Sequence, residues 1–155
     1  KYYFMKYIIL CALIVVSTFC YSQEMRKTMS TKQIGRITCK HDLKINLETK
    51  DTTVLVYLGF QNLEYTSITD IASIIFIPKL DSTALPMFIA DLKAASEYIG
   101  TKTSVRWDKT YYSIYLYDFT NSLYLVERKK SGGGYTTLSK KEVTNLLLWL
   151  ESLKL

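Results

Sequence analysis

The residue types that could support nucleophilic chemistry occur together at Cys39, His41 and Asp42. On a β-strand, residues i and i+2 share a face, so Cys39 and His41 are expected to approach each other. A cysteine nucleophile with a histidine base also needs an orienting group and an oxyanion hole, which distant parts of a chain usually supply. His41 is the single histidine of the sequence. A Cys–His hydrolase is therefore the weakest hypothesis, and two potential ligands are too few for a structural zinc site, which takes four. We expect no catalytic residues, no metal ligands and no cofactor.

A group of aromatic and basic residues further along the chain suggests binding instead of catalysis. The candidate ligand-binding residues are Arg106, Trp107, Tyr111, Tyr115, Tyr117 and Arg128. Aromatic rings with nearby cations bind sugars, peptides or single-stranded nucleic acid. In the alternative interpretation these rings belong to the core and place their hydroxyls at its rim.

Residues 111–117 alternate in a way that separates two faces of a strand. Tyr112, Ile114 and Leu116 are the more apolar set, so we expect them to face the helices. Ser113 and the tyrosines at positions 111, 115 and 117 then lie on the opposite, more open face, where rigid amphipathic rings suit recognition of a partner.

The elements that position this strand follow from periodicity. Strands are predicted within residues 37–47, 53–61, 71–77, 111–117, 123–128 and 135–138, with a bulge or a close backbone approach at Gly59. Apolar residues spaced three and four apart predict helices over residues 82–99 and 140–153. Gly100 supplies the stop of the first helix.

The second helix carries the clearest local signal. Ser139 and Glu142 have the spacing of a capping box. Its apolar face is predicted to comprise Val143, Leu146, Leu147, Leu150 and Leu153, widened by Leu148 and Trp149.

The order of elements predicts an α+β domain over residues 37–155, in which two amphipathic helices pack on one face of an antiparallel sheet. Strands followed by one helix occur in both halves, which raises the possibility of an internal repeat. Residues 23–36 are polar and are predicted to be a mobile leader.

Residues 1–22 have the features of a secretory signal peptide. Met5 and Lys6 give a start and a positive charge, residues 7–19 are apolar, and small residues precede a cut before Gln23. Cys20 leaves open a lipoprotein, although the bulky Phe19 precedes it, and a membrane-retained form is the other alternative. The predicted location is the periplasm or the extracellular space.

Composition limits the remaining possibilities. The 155 residues are 48% hydrophobic and 22% charged, as in globular proteins. The sequence has twenty basic and fourteen acidic residues, and loss of Lys1 and Lys6 by cleavage leaves a net charge of about +4. This charge is too small to indicate a nucleic-acid partner. Cleavage would also leave Cys39 as the only cysteine, so no internal disulfide is expected.

Four segments, residues 57–62, 68–74, 113–119 and 138–150, resemble small exported, uncharacterised proteins of Bacteroidetes-type bacteria. The resemblance covers most of the chain after the signal segment and implies location and fold. More distantly, the strands-then-helix order is similar in outline to the whirly and Pur-alpha single-strand nucleic-acid binders, at the level of fold alone. The leading hypothesis is thus a small exported, non-enzymatic binding or interaction domain. The alternatives are a whirly-like nucleic-acid binder and the Cys–His hydrolase.

Export generates a first testable expectation. Intact-mass spectrometry of the protein expressed with its signal segment in a bacterial host should give a chain that starts at Gln23, because the apolar stretch and the small residues before Gln23 define that cut. A product that starts at an acylated Cys20, or an uncut chain, would contradict it.

Overall fold

The protein is described here by a computed structural model that covers residues 24–64, 71–118, 120–129 and 133–153. The predicted signal segment therefore lies outside the described residues. The predicted α+β class is confirmed, and the antiparallel strands form two sheets of four strands each. The first sheet contains β1 (Glu24–Ile34), β2 (Ile37–Asn46), β3 (Thr52–Gln61) and β4 (Ile71–Phe76). The second contains β5 (Val105–Asp108), β6 (Tyr112–Leu116), β7 (Ser122–Glu127) and β8 (Tyr135–Ser139).

Each sheet is a meander followed by one helix. The strand orders are β1-β2-β3-β4 and β5-β6-β7-β8, so every strand pairs with its neighbour in sequence. Helix α1 (Ala84–Tyr98) follows the first sheet, and α2 (Lys140–Glu151) follows the second. The predicted repeat of strands and helix is thus present as an order of elements, with four strands in each half.

The prediction of a mobile leader over residues 23–36 is wrong. Residues 24–34 form β1, which pairs with β2 along its length apart from an irregularity between Thr28 and Ser30. Most β1 side chains are exposed, so the strand shows no hydrophobic alternation. Its hydrogen bonds to β2 hold it, and these depend on the backbone and not on side-chain type. Gly35 turns the chain back with a φ of 54°, as the first central residue of a type II′ hairpin turn requires.

Both helices lie close to their predicted positions, and their ends have identifiable causes. Asp81 begins α1: its Oδ1 accepts hydrogen bonds from the backbone N–H groups of Thr83 and Ala84 at 3.0 and 3.1 Å. Gly100 follows the helix with a φ of 86°, as expected for a stop. The capping box of α2 is confirmed, because Ser139 accepts from the Glu142 N–H and Glu142 accepts from the Ser139 N–H.

The core joins both sheets and both helices in one cluster of buried side chains. Helix α1 lies against β5 and β6, α2 lies against β8 and β1, and the two helices contact each other. The ring centroid of Phe76 in β4 lies 5.1 Å from that of Phe88 in α1 and 6.3 Å from that of Tyr112 in β6. The centroids of Phe88 and Tyr112 are 4.8 Å apart. This aromatic cluster therefore joins the first sheet, the first helix and the second sheet. The placement of both helices on one face of a sheet stays a prediction.

Two close approaches connect the halves at their edges. A side chain at Gly35 would collide with the Glu142 carboxylate, so the β1–β2 turn sits directly on the capping box of α2. On the other side, Asn62 Oδ1 accepts from the Tyr135 N–H at 3.2 Å, and the Leu63 N–H donates to the Tyr135 carbonyl at 3.0 Å. The end of β3 is thereby bonded to the start of β8.

The prediction of a bulge or a close backbone approach at Gly59 is wrong, because the group that approaches this glycine is a side chain. The ring of Tyr57 lies against the position that a Cβ at Gly59 would occupy. The pairing of β3 with β2 and β4 continues without a shift at this residue. No helix within the described ranges is long and apolar enough to span a bilayer.

Two leucines on α2 give a matched test of the packing. Leu146 is fully buried, whereas Leu148, predicted to widen the apolar face, is 59% exposed. Leu146→Ala should lower the free energy of unfolding by about 2–5 kcal/mol, the range for large-to-small core changes. Leu148→Ala should change it by less than about 0.5 kcal/mol, as surface substitutions usually do. Chemical denaturation of both variants measures the difference, and equal losses would contradict this placement of α2.

Candidate ligand-binding face

The outward face of the second sheet carries a continuous group of aromatic side chains. The strand register aligns Arg106, Tyr115, Tyr124 and Thr137 in one cross-strand row. A second row on the same face aligns Asp108, Ser113, Val126 and Tyr135. We call the four rings Tyr115, Tyr117, Tyr124 and Tyr135 the tyrosine face.

Three of these rings form a diagonal line that runs from the residue after β6 across β7 and β8. The Tyr117 ring contacts the Tyr124 ring edge-on at 5.3 Å between centroids, and Tyr124 contacts Tyr135 at 6.0 Å. Tyr117 is 56% exposed, while Tyr124 and Tyr135 are half-buried. Mutual contact fixes the rings, and partial exposure leaves part of their surface available to a ligand.

Arg106 and Tyr115 flank this line on the β5 side. The Arg106 guanidinium carbon lies 4.6 Å from the centroid of the Tyr115 ring, which is the geometry of a cation–π contact. A shallow recess bounded by Arg106, Tyr115 and Tyr117 opens beside them. The cation is thus held flat against an aromatic ring and not extended into solvent.

Asp108 is the electrostatic centre of the face. Its Oδ1 accepts from the Ser113 hydroxyl at 2.6 Å, and its Oδ2 accepts from Arg106 Nε at 2.5 Å. Arg128 Nη1 lies 3.8 Å from Oδ1. The hydrogen bond from Ser113, followed by the bond from Arg106, holds the pKa of Asp108 below its usual value. Asp108 is thus a charged anchor for Arg106 and not a proton donor near neutral pH.

The structure brings together only part of the predicted site. Three predicted residues, Arg106, Tyr115 and Tyr117, share the outward face. Arg128 lies at the edge of that face, where it is near the Asp108 carboxylate. Trp107 is on the opposite face, because β5 pairs it with the core residue Ile114; its ring contacts Tyr98 of α1 at 6.2 Å between centroids. The assignment of Trp107 to the binding face is therefore wrong.

Tyr111 also stands apart from the tyrosine face. It precedes β6, is 42% exposed, and lines a cleft with residues from the start of α1. The predicted inward set is confirmed, since Tyr112, Ile114 and Leu116 are all buried.

Two residues of the face, Tyr124 and Tyr135, were not among the sequence candidates. The alternation in β7 contains the signal for Tyr124, which stands between the buried residues Leu123 and Leu125. Tyr135 precedes the buried Thr136 in β8 in the same way. The two-residue period of β7 and β8 therefore contains the signal for both tyrosines.

The Cys39, His41 and Asp42 group is not assembled as a catalytic site. Cys39 and His41 share one face of β2, as predicted, but Asp42 points to the other face and accepts a hydrogen bond from Arg26 Nε at 2.6 Å. Cys39 is fully buried, and burial raises the pKa of its thiol to about 12. A thiol in this setting is a core side chain, because nucleophilic attack requires an accessible thiolate.

The described part of the chain contains no group of three or more His, Cys, Asp or Glu side chains placed to hold a metal ion. In comparisons with known proteins, no family model, no curated protein and no solved structure matches the chain. The resemblances stated above therefore stay expectations.

The two sides of β6 should respond differently to mutation. Tyr112→Ala removes a buried ring at the junction of both sheets and should cost about 3–5 kcal/mol of stability. Tyr117→Ala removes an exposed ring and should cost less than about 0.5 kcal/mol. Thermal and urea unfolding of both variants decide the point. A large loss for Tyr117→Ala would show that this ring serves the fold.

Proposed function

We propose that the protein is a small exported, non-enzymatic binding domain that holds an extended ligand or partner segment on the tyrosine face. The observation that carries this proposal is the line of partly exposed rings across three strands. Rings that already contact one another lose little freedom on binding, and each offers a broad amphipathic surface.

The electrostatics of the face support recognition by aromatic surface in preference to charge. Arg106 is engaged with Asp108 and with the Tyr115 ring. Asp108 in turn accepts from Ser113. With these charges satisfied inside the protein, the rings provide most of the free contact area, which favours neutral extended ligands such as an oligosaccharide or an unstructured peptide segment.

Location outside the cytoplasm is part of the same proposal. It rests on the N-terminal sequence, where a positive start, an apolar stretch and small residues before Gln23 have the order of a signal peptide. A buried, unpaired Cys39 is compatible with an oxidising compartment, because it is inaccessible to disulfide exchange.

A second candidate function is single-stranded nucleic-acid binding by the same face. Two observations favour it: bases stack on rings of this kind, and the order of four strands and one helix occurs twice, as in the outline of whirly-type domains. Phosphate contacts would make such binding fall steeply with salt, whereas sugar or peptide binding by neutral rings would not.

Ring-labelled NMR tests the proposal directly. Protein with 13C-labelled tyrosine rings is titrated with a cello-oligosaccharide, an unstructured peptide and a thymidine oligonucleotide, each at low and high salt. At least one probe should shift the Tyr117, Tyr124 and Tyr135 signals together, because the rings touch. The buried Tyr112 signal should stay fixed and serves as the internal control.

Tyr124→Ala should weaken that binding by about fivefold or more, since one stacked ring contributes about 1–3 kcal/mol. Leu148→Ala, an exposed apolar change on α2, is the matched control and should leave affinity unchanged. Shifts confined to residues outside the tyrosine face would contradict the proposal. Binding that vanishes at high salt and is specific to the oligonucleotide would replace it by the second candidate.

A further inference from the structure

A cleft of about 720 Å³ lies beside the tyrosine face, between the start of α1 and the β5–β6 turn. Its walls include Met87 of α1, Tyr111 of the turn, and Lys109, Arg128 and Lys129. Two backbone hydrogen bonds fix the turn: the Lys109 N–H donates to the Tyr112 carbonyl at 2.9 Å, and the Arg128 N–H donates to the Tyr111 carbonyl at 3.1 Å. The cleft is therefore preformed and has the volume of a small-molecule site.

The carboxylates around the cleft are committed to internal hydrogen bonds. Asp81 caps α1, and hydrogen bonds led by those from Thr83 hold its pKa below the usual value. Asp108 accepts from Ser113 and Arg106. Asp91, behind the cleft, accepts from the Tyr112 hydroxyl at 2.8 Å. Each of these acids thus already accepts at least one hydrogen bond from within the protein.

Two of the three cations are held much less tightly. Lys109 Nζ is 3.7 Å from Asp91, and Arg128 Nη1 is 3.8 Å from Asp108, both beyond hydrogen-bond length. Lys129 is different, because its Nζ lies 2.9 Å from the buried Glu127 carboxylate. Lys109 and Arg128 are thus the two cations of the cleft whose carboxylate contacts exceed hydrogen-bond length.

One part of the cleft wall is apolar. Met87 is 43% exposed at the cleft, and Ala84 and the Tyr111 ring extend the same surface. An exposed methionine provides a flexible, polarisable contact for an apolar group. A bare inorganic anion would use only the cationic side and leave this wall in water.

We propose that this cleft binds an amphipathic organic anion, with its carboxylate or equivalent oxyanion between Lys109 and Arg128 and its apolar body against Met87 and Tyr111. The site contains none of the four rings of the tyrosine face, and Asp108 links the two surfaces by its contacts with Arg106 and Arg128. Its test is independent of that face, because Lys109 and Met87 belong to the cleft alone.

Three probes separate the contributions: 4-phenylbutyrate, the neutral 4-phenylbutan-1-ol, and inorganic phosphate. Backbone-amide NMR of the 15N-labelled protein follows Met87, Lys109, Tyr111 and Arg128. Phenylbutyrate should shift these amides and bind at least about tenfold more tightly than the alcohol, because charge-assisted hydrogen bonds are the stronger ones. Phosphate should bind more weakly than phenylbutyrate, since it cannot use the apolar wall.

Variants assign the effect to named side chains. Lys109→Gln and Arg128→Gln should each reduce the preference for the acid over the alcohol at least threefold, while Met87→Ser should weaken both. Lys141→Gln, an exposed charge change on α2, and Tyr124→Ala, on the tyrosine face, should leave phenylbutyrate binding unchanged. Equal affinity for acid and alcohol, equal loss in Lys141→Gln, or no cleft shift with any probe in the millimolar range would overturn the proposal.

Discussion

Three rings from three elements meet at the centre of the protein, and the rest of the structure depends on their contact. Phe76 comes from the first sheet, Phe88 from α1 and Tyr112 from the second sheet. The Tyr112 hydroxyl is bonded to Asp91, so its ring cannot turn outward without leaving that carboxylate. Since Tyr112 points inward, the two-residue period of a strand places Ser113, which is itself buried, and Tyr115 on the other face of the sheet. The partly exposed tyrosines of that face are therefore a geometric consequence of how the core is packed.

The second sheet presents two adjacent surfaces of different character. On the tyrosine face, Arg106 and Asp108 neutralise each other at 2.5 Å, and the rings dominate the remaining area. In the neighbouring cleft the ion pairs of Lys109 and Arg128 are longer than hydrogen bonds, and Met87 and Tyr111 give the lining an apolar part. Asp108 belongs to both surfaces. A change in its hydrogen bonds would alter how firmly Arg106 is held on one side and Arg128 on the other.

Local patterns made the helices and the inward side of β6 predictable. The capping box at Ser139 and the stop at Gly100 depend on residues only a few positions apart, so the sequence contains the whole signal. Strand β1 was not predictable in this way, because its side chains are mostly exposed and its partner supplies the stabilising bonds. Trp107 was misplaced because its face depends on the register between β5 and β6, which is a tertiary property. Tyr124 could have been found, since its buried neighbours alternate with it.

The packing of the β1–β2 turn against the capping box of α2 has a consequence for the order of folding. Gly35 belongs to the first hairpin, and the Glu142 carboxylate beside it belongs to the last helix. Contacts between such distant parts of a chain form only after the loop between them has been closed, which slows folding. During synthesis the hairpin emerges from the ribosome long before α2 and its capping box exist. The first hairpin therefore reaches its final packing only when α2 has formed. Until then the contact between the β1–β2 turn and the α2 capping box is missing from the nascent chain.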